Sequence, residues 1–409
     1  MITNKQILVR NSYLSELIPY LDNKLVKVLV GQRRAGKSYI LQQLIQYLII
    51  QKKVAQKNIL YLNFELHENQ EIQTQKDLTN FIDNYLKTVS NQDTAYLFLD
   101  EIQEVHEWER AITSYQARTT HQLQIFITGS NSKLLSSELA TYLTGRYISK
   151  TIHPFSLEEF EKFHQLPHNK ETLLTYLKTT GIPEAYNLPN DELRTSFFGS
   201  LKESILMKDI VRRYEIRNPQ LLNTLFHFLI DNIGGLFSAN KMVNTLNTHN
   251  IKTNVNSINS YLDYLENAYL IKSIQRYDLK GKKILEGEKK YYLNDLAFQN
   301  YFTSSFDIRN SKLLENFVLN HLLIKGYKVY IGKLNDIEID FVAEKNKKKF
   351  YLQVAYILDT EKVIQREYGN LEKIHDHWPK YVVSLDDLTL PPKNGIHHIQ
   401  AWNISEHLS

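Results

Sequence analysis

An α/β fold built on a buried parallel sheet is predicted by three observations in the first third of the chain. An apolar run at residues 25–30 leads into Gly31-Gln32-Arg33-Arg34-Ala35-Gly36-Lys37-Ser38, and a helical stretch at 39–48 follows at once. A second apolar run, 96–99, ends in Asp100 and Glu101. A further strand-like run, 58–65, lies between the two.

Strand, G-x-x-x-x-G-K-[ST], helix is the sequence context of a phosphate-binding loop. Gly31 and Gly36 let the backbone curl so that successive N–H groups point inward at phosphate oxygens. The helix N-terminus adds its positive dipole end, bringing Arg34, Ala35 and Tyr39 into the candidate nucleotide-binding set. Lys37 is placed for the β- and γ-phosphates of ATP, and Ser38 for a Mg²⁺ ion.

The run ending in Asp100 and Glu101 supplies the other half of that chemistry. Asp100 is delivered beside the Mg²⁺ held by Ser38, and Glu101 is placed to polarise the attacking water. An additional strand between the signatures, with an acid after the magnesium aspartate, is the pattern of the additional-strand, catalytic-glutamate division of P-loop ATPases. Residues 124–127 form another apolar run, followed by Thr128, Gly129, Ser130 and Asn131. Small polar groups at a strand's C-terminal edge face the ligand crevice of an open α/β sheet. Ser130 and Asn131 are therefore candidates for sensing the γ-phosphate or orienting its water. Leu143-Thr144-Gly145-Arg146 enters a fifth strand. Arg146 reads either as a surface charge or as an arginine finger that, kept from its own γ-phosphate by intervening strands, extends toward a neighbouring subunit's nucleotide.

The stretches GQRRAGKS, LFLDEIQEV, FITGSNSKLLS, LTGRYISKTIHPFSLEEF, TGIPEAY and LLENFVLNHL occur in this order from about residue 10 to about 390. On them the chain resembles the bacterial and archaeal AAA-plus-like ATPases with a C-terminal domain of unknown function, often restriction-endonuclease-like. The resemblance implies that Lys37, Ser38, Asp100 and Glu101 are the hydrolysis positions and that Arg146 closes the ATPase core, here taken as 1–155.

Residues 156–215 read as helical throughout, with a break at Gly181-Ile182-Pro183, where a helical lid is expected. Arg212 and Arg213 fall at its end. Residues 216–300 read as helices followed by a hairpin, the layout of a winged helix, with Lys280, Lys282, Lys283, Lys289 and Lys290 on the wing. Its third helix carries Asn254, Asn256, Ser257, Asn259 and Ser260 and no basic residue among them, which suits packing better than reading DNA.

Residues 301–409 resemble the restriction-endonuclease fold. In active members the strands bring an Asp, then a Glu or Gln with a Lys two positions on. Asp340 and Gln353 fit, and Glu315 is the candidate upstream acid of a vestigial metal site. The lysine position holds Ala355, so nuclease chemistry is not expected. His375, His377, His397 and His398 have no metal-ligand spacing.

At 409 residues, with 43% hydrophobic and 23% charged residues, the composition is that of a soluble globular protein. The absence of cysteine excludes disulfides and thiol chemistry and fits a cytoplasmic setting. A net charge of +4 is too small to argue for nucleic acid by itself. Neither a signal-peptide layout at Met1–Gln6 nor a membrane-length apolar run is found. The expected protein is an ATP- and Mg²⁺-dependent homo-oligomer, an ATP-driven switch or assembly whose C-terminal domains bind a protein partner. The alternative is a DNA-directed ATPase with weak DNA binding and a vestigial nuclease domain.

Overall fold

β1 (Val26–Val30) is buried at every position, as a strand covered on both faces must be. The computed structural model describes residues 8–117, 122–135, 145–303 and 310–408. In it β1 joins β2 (Ile59–Asn63), β3 (Thr94–Asp100), β4 (Gln122–Gly129) and β5 (Tyr147–Thr151) in a parallel sheet. The order is β2-β3-β4-β1-β5, so β4 stands between the strand that opens the glycine loop and the strand that carries Asp100.

Alternate residues of the sheet feed two apolar layers, as the twofold period of a strand requires. On one face Val28, Leu97 and Leu99 share a core with Leu78 and Ile82 of α3 (Gln75–Leu86) and Trp108 and Ile112 of α4 (Trp108–Ala117). On the other, Leu29, Phe98 and Phe126 share one with Tyr13 and Leu14 of α1 (Asn11–Leu17) and Ile40 and Leu44 of α2 (Lys37–Ile50). Each fully buried leucine of this kind stabilises the fold by about 1.5–3 kcal/mol. Thr74 and Asp77 close a reciprocal capping box that starts α3.

The register decides where function can sit. Asn63 is opposite Asp100, Leu99 opposite Ile127, and Val30 opposite both Gly129 and Thr151. The C-terminal ends of all five strands therefore share one edge, where open α/β sheets bind ligands.

The chain divides into two compact units, Met1–His153 with Asn267–Tyr269, and Pro154–Glu266 with Leu270–Ser409. The segments expected as lid, winged helix and nuclease-like domain fall in the second unit, apart from Asn267–Tyr269. Its helical part holds α5 (Leu157–His164), α6 (Lys170–Leu177) and α7 (Asp191–Ser204), which runs on as a π-helix over Ile205–Arg212. Arg212 is exposed and Arg213 half-buried there. Next come α8 (Pro219–Asp231), β6 (Leu236–Phe237), α9 (Ala239–Thr248) and α10 (Val255–Asn267).

The boundary expected at 300/301 does not separate two bodies. Beside the hairpin of β7 (Ile271–Asp278) and β8 (Lys283–Leu293) lies β9 (Lys328–Leu334), which pairs parallel with β7 in the same sheet. With β10 (Ile337–Lys345), β11 (Lys348–Val354), β12 (Lys380–Ser384) and β13 (Ile396–Gln400) they form one eight-stranded sheet, β13-β12-β11-β10-β9-β7-β8-β6. Between β8 and β9 run α11 (Ala297–Phe302) and α12 (Asn310–Ile324), and α12 buries Leu314, Val318 and Leu322. Asn316 of α12 exchanges two hydrogen bonds with the backbone of Leu293 in β8, at 2.8 Å each. Among the described residues no helix is long and apolar enough to cross a membrane.

Candidate functional site

The glycine loop is a tight turn wedged against the next strand. A Cβ on Gly31 would lie 2.1 Å from the carbonyl oxygen of Ile152, so no other residue fits. Gly31, Arg34 and Gly36 all have positive φ, at 151°, 71° and 94°. Gly36 then starts α2, so Lys37 and Ser38 occupy its first turn. Lys37 is buried, and its ammonium folds over the loop to donate to the carbonyls of Gly31 and Gln32 at 3.1 and 3.3 Å. Ala35 is buried, Ser38 half-buried, and Arg34 and Tyr39 are exposed.

β3 ends at the same edge. Asp100 is fully buried and held from several sides. Thr128 donates to its Oδ1 at 2.5 Å, while Tyr61 and Asn63 donate to Oδ2 at 2.8 and 3.2 Å. Burial pushes the Asp100 carboxyl above its ordinary value against the hydrogen bonds of Thr128 and Ser38. Its bond with Ser38 brings two hard oxygen donors together, the donor set that Mg²⁺ prefers.

Glu101 leaves the strand in the left-handed region, at φ 55°, which costs a non-glycine residue on the order of 1 kcal/mol. The Thr128 hydroxyl accepts its N–H at 2.9 Å and stabilises that bend. Its side chain lies 3.3 Å from the Lys37 ammonium and accepts from Gln103 at 2.5 Å. Burial pushes this carboxyl up, but Lys37, Gln103 and Arg33 outweigh burial and hold it below its ordinary value. Glu101 is thus kept as a carboxylate, the form that can accept a proton from water.

Ser130 and Asn131 follow the end of β4 at this edge and are fully buried. Arg33, within the loop, is bonded to Glu65 at 2.5 Å. Tyr61, Asn63, Glu65, Gln103 and Arg10 escape sequence reasoning, because their roles depend on which strand or loop comes to lie beside which. Thr128 lies within the strand-exit stretch, where nothing in the sequence distinguishes it from its neighbours.

Arg146 stands elsewhere. It precedes β5, its carbonyl accepts from Val26 at 3.1 Å, and its side chain is exposed. It marks the N-terminal edge of the sheet, separated from the loop by the five residues of β1, roughly 17 Å at 3.3 Å per residue. The expectation that strands intervene between β5 and the loop is corrected, because β5 is paired directly with β1. The separation runs along the strand, not across the sheet. Leu143 and Thr144 of that stretch lie outside the described residues, as do Met1–Gln6 and Ser136.

In the second unit, Glu315, Asp340 and Gln353 do come near one another, but most of their side-chain oxygens are already bonded within the protein. Glu315 Oε1 meets Lys290 at 3.0 Å and Tyr292 at 2.7 Å, and its Oε2 meets Lys312 at 2.8 Å. Asp340 accepts from the Val354 N–H at 2.8 Å. Gln353 accepts from the Asp340 N–H and donates to Glu367, both at 2.8 Å. Lys290 also pairs with Glu338 at 2.7 Å. Burial lowers the Lys290 ammonium's pKa, but Glu315, Asp340 and Glu338 overcome this and keep it charged. Burial and Glu315 hold the Asp340 carboxyl well above its usual range.

An internal ammonium thus stands among the acids, and the residues do not fit the vestigial metal site expected of them. Among the described residues no cluster of three acids or histidines is arranged to hold a metal. Lys290 is also removed from the wing, being 3% exposed, whereas Lys280, Lys282 and Lys283 are exposed and Lys289 is half-buried.

A family model described as an AAA domain matches residues 23–161, and one described as a domain of unknown function matches 170–308. An uncharacterized protein of Haemophilus influenzae is 35% identical over 387 residues, covering 93% of this chain and 94% of its own length. The uncharacterized protein MJ1544 of Methanocaldococcus jannaschii is 31% identical over 388 residues, covering 91% and 82%. Among solved structures, the Walker-type ATPase PABY2304 of Pyrococcus abyssi aligns with 72% of this chain and 96% of its own at 15% identity, with a TM-score of 0.49. The phosphate-loop sheet, the AAA-domain match and the near full-length likeness to the Haemophilus and Methanocaldococcus proteins place this chain with those two proteins in one family of P-loop ATPases.

Proposed function

We propose that the chain hydrolyses ATP with Mg²⁺ at the edge formed by the glycine loop, β3 and β4, and uses the cycle as a switch or assembly step. The reading is carried by the meeting of Lys37, Asp100 and Glu101: the Lys37 ammonium is 3.3 Å from Glu101, and Asp100 is bonded to Ser38. Loop N–H groups and Lys37 bind the β- and γ-phosphates. The Ser38 hydroxyl and the Asp100 carboxylate hold Mg²⁺, which supplies positive charge against the triphosphate. Phosphate oxygens compete with Glu101 for Lys37, and the released carboxylate orients water and takes its proton. ATP and water become ADP and phosphate. Ser130 and Asn131, at the end of β4, sense the γ-phosphate.

Arg146, on the far edge of the sheet, serves a neighbouring subunit in a homo-oligomer, and the second unit binds a protein partner. DNA-directed action is the weaker reading. Lys290 is spent inside the fold, and the wing strand also carries Glu286 and Glu288, the latter bonded to Arg276 at 3.2 Å. Phosphate release by the purified chain, with and without Mg²⁺ and with and without duplex DNA, tests the proposal. Turnover that needs Mg²⁺ and ignores DNA supports it, and turnover that appears only with DNA overturns the partner-protein reading.

A further inference from the structure

Arg10 lies ahead of the first strand, outside every recognised motif, and is 3% exposed. A buried guanidinium is costly unless it is well bonded. Here Nη1 donates to the carbonyl of Ala35 at 2.9 Å, and Nη2 donates to the carbonyl of His153 at 3.0 Å. The guanidinium also lies over the ring of Tyr13, 4.5 Å from its centre, within cation–π range. Its own backbone N–H donates to Gln43 of α2 at 3.1 Å, and Gln43 donates back to the Leu8 carbonyl at 2.9 Å. The arginine is therefore fixed at both ends, its backbone by α2 and its guanidinium by Ala35 and His153.

Ala35 belongs to the glycine loop. A trans peptide points its C=O and its following N–H in opposite directions. A guanidinium that holds the Ala35 carbonyl on one side of the loop turns the Gly36 N–H to the other. Gly36, at φ 94°, has no preferred alternative to resist a flip of this peptide, so an external clamp matters here more than at an ordinary residue. A Cβ on Gly36 would lie 3.7 Å from Nη1, so the cation also sits directly behind the loop.

We propose that Arg10 is a positioning residue for the phosphate loop. It holds the Ala35–Gly36 peptide with its N–H toward the nucleotide phosphates and adds positive field from behind. This inference rests on the ATP-binding reading above. Lysine keeps the charge but offers one ammonium where two diverging carbonyls need a planar fork, so it should recover only part of the effect.

The test measures binding of ATP, ADP and adenosine, with the thermal midpoint of each protein without nucleotide. The proteins are the wild-type chain, Arg10→Met, Arg10→Lys, Tyr13→Phe and Lys37→Ala. Arg10→Met should lose ATP affinity by about tenfold or more, on the scale of one charge-assisted hydrogen bond. Adenosine affinity should hold, and Arg10→Lys should fall between. Tyr13→Phe removes the hydroxyl that accepts the His153 N–H at 3.1 Å, and it should lower the midpoint without changing the ratio of ATP to adenosine affinity. Should Arg10→Met fail to fold, Arg10→Lys carries the test by the same ratio. Wild-type ATP affinity in folded Arg10 variants, with Lys37→Ala still defective, overturns the role of Arg10 alone. Equal loss in Arg10→Lys and Tyr13→Phe, tracking their midpoints, also overturns it. If the wild-type chain does not bind ATP, the nucleotide reading falls as well.

Discussion

The Lys37 ammonium lies 3.3 Å from the Glu101 carboxylate, with both side chains less than a tenth exposed. The pair joins the loop that would hold phosphate to the acid that would act on water. Removing either partner leaves a buried charge in the other. Lys37→Ala should therefore have two effects. ATP should no longer raise the thermal midpoint, because the phosphate charge partner is gone. The chain without nucleotide should also lose about 1–3 kcal/mol, a little below the usual cost of breaking a buried pair because Gln103 still bonds Glu101. Thermal and chemical denaturation with and without ATP measure both. Unchanged stabilisation by ATP in Lys37→Ala contradicts the assignment of the loop.

Arg146 calls for an oligomer test. An arginine supplied to a neighbour's site can raise turnover by roughly 10³–10⁵. Specific activity should rise with protein concentration. Arg146→Ala mixed with Lys37→Ala should regain activity, since one mutant offers an arginine and the other receives it. Concentration-independent activity, a monomer in sedimentation with a non-hydrolysable ATP analogue, and full activity of Arg146→Ala would together make this residue a surface charge.

Lys290 gives a prediction for the second unit. It is the cation among Glu315, Glu338 and Asp340, so Lys290→Met should destabilise that unit by about 3–5 kcal/mol, the range for breaking a buried ion pair. Mg²⁺ or Mn²⁺ should leave the wild-type unit's unfolding unchanged and should produce no cleavage of plasmid DNA. Metal-dependent cleavage that is lost in Asp340→Ala would mean that the ammonium yields its place to a metal.

Acid should weaken the second unit in a definite window. His321 is held down to about 4, chiefly by burial, so its stabilising neutral form is lost as pH falls from 6.5 through 4. For Glu158, burial acts upward, but the hydroxyls of Ser405 and Ser156 and the nearby His321 bring the carboxyl down to about 2. A depressed acid contributes stability above its unfolded value, near 4.5, and loses it as pH falls toward 2. Glu158→Gln should remove a contribution of about 1–3 kcal/mol at pH 7 and flatten the profile between pH 4.5 and 2. Urea denaturation across pH reads this, and an unaltered slope below pH 4.5 speaks against it.

The first unit was legible because its signals are local. The apolar run into Gly31, the helix after Lys37 and the acids closing β3 each occupy a few consecutive residues, and each stands where the pattern puts it. Arg10 and Tyr61 were not legible, since nothing nearby in sequence marks them and only the packed sheet brings them to Ala35 and Asp100. In the second unit the strand runs were readable but their partners were not. The parallel pairing of β7 with β9 joins Arg276 to Ile331 across 55 residues, and alternation within a strand carries no information about which strand lies beside it. Lys289 and Lys290 look alike on paper. The strand's twofold period turns one out and buries the other against α12.

The most direct measurement is ATP binding and phosphate release by Glu101→Gln beside the wild-type chain, at saturating Mg²⁺. Glutamine keeps the size of the side chain but cannot take a proton from water. ATP binding should be near-normal or tighter, because Lys37 is freed from its carboxylate partner. Turnover should fall on the order of 10²-fold or more, the scale of losing a positioned general base. Wild-type turnover in Glu101→Gln would mean that Glu101 is not the base.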